Sequence, residues 1–110
     1  MMYNRYYGYS EINYRVITFY RDVFFNAIII FTDSGNRKES IYHIWDCGRY
    51  NDTVQLVTVS EYGNPIEFIS YNINTNQFIY RIISSYIVCS VLCLSKCSPE
   101  FSAIPIDPDQ

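Results

Sequence analysis

From residue 12 onward, apolar runs alternate with clusters of Gly, Asn, Asp and Ser about every ten residues, a rhythm that predicts strands joined by turns. Residues 12–20 alternate: Ile12, Tyr14, Val16, Thr18 and Tyr20 share one face, and Asn13 and Arg15 open the other. Arg21 and Asp22 suit a tight turn into 23–32. There Phe24, Phe25, Ile28, Ile29, Ile30 and Phe31 fill both faces, as expected of a central strand covered on both sides. Asp33, Ser34, Gly35 and Asn36 form the clearest turn, because Asp and Asn satisfy local backbone groups and Gly tolerates positive φ. Further strands are expected at 40–46, 53–60, 66–71 and 78–83, separated by a loop around Gly48 and by turns at 62–65 and 72–77.

Two terminal segments read differently. Residues 1–11 form an irregular, tyrosine-rich arm, with Tyr3, Tyr6, Tyr7 and Tyr9 around Arg5 and Gly8. Residues 98–110 form a tail whose Pro99, Pro105 and Pro108 cannot extend a ladder or helix far. Between them, 12–97 is expected to fold as a single β-rich domain. The segment 84–96 fits either a last strand or a single C-terminal helix. The expected fold is therefore all-β, or mainly β with one C-terminal helix: an antiparallel meander closing into a sandwich or small barrel of six to seven strands.

Composition strengthens this reading. The chain holds 16 Ile, 12 Tyr, 7 Phe and 7 Val against 3 Leu and 2 Ala. Side chains that are β-branched or aromatic lose rotamer freedom in a helix yet stand well on a pleated strand. With 110 residues there is room for one core. Trp45, among alternating apolar neighbours, is expected to be buried, and 33–36 exposed.

Charge narrows the partners. A net charge of −3, with six Arg and two Lys spread along the chain, makes no basic patch and argues against duplex nucleic acid. The most apolar stretch, 79–94, is short for a spanning helix and contains Arg81, Ser84, Ser85 and Ser90, which argues against a membrane segment. No apolar run marks a secretory signal in the first ten residues. The expected location is the cytoplasm, or a host-cell cytoplasm, with secretion as the alternative if a signal peptide has been removed.

Candidate chemistry is sparse. Cys89, Cys93 and Cys97 recur every four residues, with Cys47 apart. Buried reduced thiols are the first reading. A disulfide from Cys47 to one of the other three is an alternative. A metal site of Cys89, Cys93 and Cys97 completed by Cys47 or His43 is a weaker one. His43 is the only histidine, and on a strand it and Asp46 point to opposite faces, so they form no local dyad. Asp46, Asp52, Glu61 and Glu67 show no paired spacing, and the chain has no Gly-rich phosphate loop and no nucleophile-elbow motif. Neither catalytic residues nor a cofactor is expected.

Tyrosine is the remaining signal, because it offers large contact area at low rotamer cost. Tyr6, Tyr7, Tyr9, Tyr50 and Tyr62, placed in arm and loops, are the expected partner-binding residues. The chain is thus expected to be a non-enzymatic interaction protein, binding another protein or itself. Enrichment in Ile, Tyr and Asn suits an AT-rich coding sequence and leans towards a virus- or pathogen-encoded modulator. Single-stranded nucleic-acid binding through strand and arm aromatics is one alternative; membrane association through 79–94 is another.

Overall fold

The computed structural model describes residues 2–7, 13–22, 24–46, 54–63, 65–83 and 87–105, with the backbone alone for 2–7, 13, 104 and 105. Every element among them is a strand: β1 (Met2–Tyr7), β2 (Asn13–Arg21), β3 (Asn26–Asp33), β4 (Lys38–Asp46), β5 (Val54–Ser60), β6 (Ile66–Asn72), β7 (Gln77–Ile82), β8 (Ile87–Cys93) and β9 (Cys97–Pro105). They build two antiparallel sheets, one ordered β1-β8-β3-β4-β5 and the other β6-β7-β2-β9. The fold is an all-β sandwich.

The strand count exceeds the expected six to seven because both ends of the chain pair. Met2–Tyr7, expected to be irregular, runs antiparallel to β8, with Tyr6 opposite Val88 and Tyr7 opposite Ile87. The tail from Ser98 likewise pairs along the whole of β2. Pro99 is tolerated there because β9 is an edge strand, where a missing N–H leaves no ladder bond unmade. Within 84–96 the described element is the strand β8 and not a helix. Meander connectivity holds for β3, β4 and β5 and for the β6–β7 hairpin; elsewhere the chain crosses between sheets, so β8 inserts between β1 and β3, and β2 between β7 and β9.

One face of each sheet meets the other. Ala27, Ile29 and Phe31 of β3, Tyr42 and Ile44 of β4, and Ile87, Cys89 and Val91 of β8 oppose Ile17 and Phe19 of β2 and Phe78 and Tyr80 of β7. All of these are buried. Phe31 lies edge-on to both Tyr42 and Tyr80, with ring centroids 5.6 and 5.0 Å away, an arrangement that suits ring quadrupoles.

The turn at 33–36 is exposed at its tip, as expected, but glycine is not its left-handed residue. Asp33 Oδ1 accepts the Gly35 N–H at 2.9 Å, and Asn36 Oδ1 accepts the Lys38 N–H at 3.1 Å. The positive φ falls on Arg37, at 59°; in the β6–β7 turn it falls on Asn76, at 55°.

Candidate functional site

The sandwich has two outer faces, and they differ in chemistry. Because side chains alternate along a strand, the residues flanking the inward set on β3, β4, β5 and β8 point outward. Their register builds rows across the sheet. One row runs Leu92, Ile28, His43 and Val57; the next runs Ser90, Ile30 and Ile41; Trp45 and Gln55 follow beside Asn26. Ile28, Ile30, Ile41, Val88 and Leu92 are half-buried, and Val57 is 46% exposed. Among the described side chains on these four strands, Glu39 at one margin is the only outward charge.

The outer face of the other sheet is mixed, with charged and polar rows on either side of a central row of Val16 and Ile79. There Glu67 and Arg81 pair at 3.3 Å beside Tyr14, and Asn72, Gln77, Thr18 and Glu100 form a row. An exposed pair of this kind contributes little stability, but it marks a hydrated surface.

His43 lies on the apolar outer face. Its ring stacks on Trp45 with centroids 4.5 Å apart, and its Nε2 bonds the Asn26 side-chain oxygen. Trp45 is therefore half-buried on the outside of the sheet and not in the core where its apolar neighbours suggested it would lie. Asp46 points away from His43: its carboxylate accepts from Arg21 Nη1 at 2.7 Å, with the two side chains only 9% and 11% exposed. Arg21 also donates through Nε to Asn76 Oδ1 at 2.7 Å, and the Tyr71 hydroxyl reaches the same oxygen at 3.2 Å. The guanidinium lies 5.1 Å from the centre of the Phe25 ring. Burial raises the Tyr71 pKa, and the nearby Arg21 partly opposes that shift. This network ties β2 to the end of β4 across the sandwich, and its carboxylate is committed to a cation.

The cysteines settle differently from the first expectation. Cys93 and Cys97 form a disulfide, in place of one involving Cys47, which lies outside the described residues. The four-residue spacing spans the tight corner from β8 to β9, bringing the two Cα atoms to 6.0 Å, within the range a disulfide bridges. Asn26 holds the corner as well, its carbonyl accepting the Leu94 and Ser95 N–H groups and its own N–H donating to Ser95 Oγ at 2.9 Å. Cys89 is a free, buried thiol whose pKa burial pushes up to about 12, with a hydrogen bond to Tyr80 opposing. The proposed metal set is not assembled: two of its thiols are bonded to each other, and no three His, Cys, Asp or Glu side chains among the described residues converge on an ion-sized site.

Closing a loop of about five residues is worth about 2 kcal/mol in the chain-entropy account. Replacing Cys93 and Cys97 together by Ser should lower the urea midpoint by that equivalent, while reduction of the wild type produces the same shift.

Of the nominated tyrosines, Tyr6 and Tyr7 are placed on the backbone of β1, while Tyr9 and Tyr50 lie outside the described residues. Tyr62 is 51% exposed after β5, with Lys38 Nζ 5.5 Å from its ring centre. Its backbone is clamped to β4: the Tyr62 N–H donates to Ser40 Oγ at 3.0 Å, and the Ser40 hydroxyl donates back to the Tyr62 carbonyl at 3.3 Å. Beside it, the Tyr42 hydroxyl donates to Glu61 at 2.6 Å; burial and the neighbouring carboxylate both raise the Tyr42 pKa.

The apolar outer face itself was missed by sequence reasoning. Its signal is the second apolar stripe of 23–32, Ile28 and Ile30, a pattern that predicts cover by another layer. Comparison with protein-family models, curated proteins and solved structures gives no significant match. No helix among the described residues is long and apolar enough to cross a membrane, and 79–94 is divided between β7 and β8, in different sheets.

Proposed function

We propose that this protein acts by contact, as a non-enzymatic interaction module whose binding surface is the apolar outer face of the five-stranded sheet. The observation that carries the reading is the asymmetry between the two outer faces. One carries the Glu67–Arg81 pair and Glu100 on either side of Val16 and Ile79; the other, with Glu39 only at its margin, presents Ile28, Ile30, Ile41, Val57 and Leu92 around the stacked His43–Trp45 pair. Contiguous apolar surface of this kind marks protein contact sites, and a Trp among aliphatic side chains is a typical anchor. The Ile-, Tyr- and Asn-rich composition supports a virus- or pathogen-encoded modulator as the setting. The Cys93–Cys97 bond favours the secreted alternative over a reducing cytosol.

The test uses Trp45 as its reporter. Wild type and an Ile28→Lys, Ile30→Lys variant are compared for capture of a protein partner from the native host and for the shift in Trp45 emission on adding it. Charges on the outer face should abolish capture while the far-ultraviolet spectrum stays that of a β-protein. Undiminished capture by the folded variant would place the contact elsewhere, with Tyr62 and the nominated tyrosines next. Saturable quenching of Trp45 by a single-stranded oligonucleotide, weakening with salt, would favour the nucleic-acid alternative.

A further inference from the structure

We propose that the edge of β5, which no other described strand pairs, pairs antiparallel with β5 of a second copy of this chain, joining two five-stranded sheets into one. The proposal rests on the contact reading above and deepens it, by naming a partner and the element that meets it.

A sheet edge presents unpaired N–H and C=O groups, and proteins that stay apart guard it with charge, proline, bulges or cover. Among the described residues four strands form edges: β1 and β5 in one sheet, β6 and β9 in the other. Arg5 lies in β1. Glu67 lies in β6, whose register against β7 slips between Phe68 and Ser70. In β9, Pro99 and Glu100 stand in sequence. The edge strand β5 reads Val-Gln-Leu-Val-Thr-Val-Ser, with neither a charge nor a proline. Its register runs regularly from Asp46↔Val54 to Tyr42↔Thr58; Val59 then forms a bulge, so 54–58 is the regular, unguarded stretch.

The charge pattern selects a second copy as the occupant. A neutral strand meets its own twin without like-charge repulsion, and a twofold pairing requires only that the strand complement itself. A charged segment would find no counter-charge on this edge. The outer face points the same way: the row Leu92, Ile28, His43 and Val57 runs up to β5, so pairing continues it into the partner copy. The regular stretch is short against the roughly 1,200 Å² or more that stable complexes bury, so monomer and dimer exchange and the equilibrium depends on concentration.

Sedimentation equilibrium on the full chain, over a concentration series, tests this with wild type, Val57→Lys, Val57→Glu, their equimolar mixture and Ile30→Lys, each verified as folded by far-ultraviolet spectrum. Wild type should rise from 13.0 kDa towards twice that mass with concentration. Each Val57 variant alone should lose the doubling, because like charges meet across the twofold pair. Mixing the two should restore it, a rescue that a misfolded variant would not give. A wild type that keeps the chain mass throughout overturns the proposal, as do Val57 variants that double like wild type or a mixture that fails to do so. If Ile30→Lys alone abolishes doubling and the Val57 variants keep it, the copies stack face to face; edge pairing is then wrong while the apolar-face reading stands. A wild type that stays monomeric yet captures a host partner through Ile28 and Ile30 separates the two readings in the same way.

Discussion

Replacing Asp46 by Ala should destabilise the protein by about 3–5 kcal/mol, one of the two largest losses expected from a single substitution outside glycine and proline. The carboxylate lies 2.7 Å from Arg21 Nη1, and neither side chain is more than about one-tenth exposed. Truncation leaves the guanidinium almost out of water with its counter-charge gone. The bond to Asn76 and the Phe25 ring remain, but neither supplies negative charge. Removing both partners, as Arg21→Met with Asp46→Leu, should recover most of the loss, because no charge is then left stranded. Urea unfolding with an unchanged slope measures both variants. A single Asp46→Ala variant within about 1 kcal/mol of wild type would mean that water already reaches the pair and screens it.

Phe31→Ala should cost a similar amount, about 3–5 kcal/mol, while Ile30→Ala on the opposite face costs nearer 1 kcal/mol. The two residues are adjacent in sequence and both apolar, so the contrast isolates which face of β3 is packed. Phe31 is buried between the sheets against Tyr42 and Tyr80, in surroundings that cannot close over a missing ring. Ile30 is half-buried between Ser90 and Ile41 on the outer face, where water fills the space left behind. Equal losses at both positions would mean that a further layer covers the outer face, contradicting the surface proposed for contact.

The apolar stripes on β3 account for both the success and the failure of reading this chain from its sequence. Alternation in 12–20 and in 40–46 identifies the strands but not their inner faces: Ile17 and Phe19 of β2 and Tyr42 and Ile44 of β4 are the core residues, while the stripes of Tyr14, Thr18 and Tyr20 and of Ile41, His43 and Trp45 lie outside. At 23–32 both faces are apolar, and periodicity alone does not say whether the second is covered by protein or left for a partner. Trp45 illustrates the same limit: the residues that share its face earlier in the strand are His43 and Ile41, a pattern equally compatible with a core and with an outward face.

The terminal segments failed for another reason. Residues 98–105 carry two prolines, and 2–7 are followed by Gly8 and lack apolar alternation, signals that weigh against strand when only local pattern is considered. Each is held in a ladder by an interior strand, β8 and β2 respectively, that offers an open edge to any segment able to reach it. The disulfide follows the same logic. A spacing of four places Cys89, Cys93 and Cys97 on one face of any continuous element, but the chain turns between Cys93 and Cys97 and brings those two together from different sheets.

The sequence by itself determined that this chain is mainly β and where most of its turns fall. Those properties depend on side-chain shape and on a period of two, both local. Tertiary structure alone decided the order of strands, the pairing of the cysteines, the Arg21–Asp46 link and the choice of which apolar face stays open. Each depends on segments far apart in the chain meeting across a sheet, and no local preference encodes which distant segment arrives.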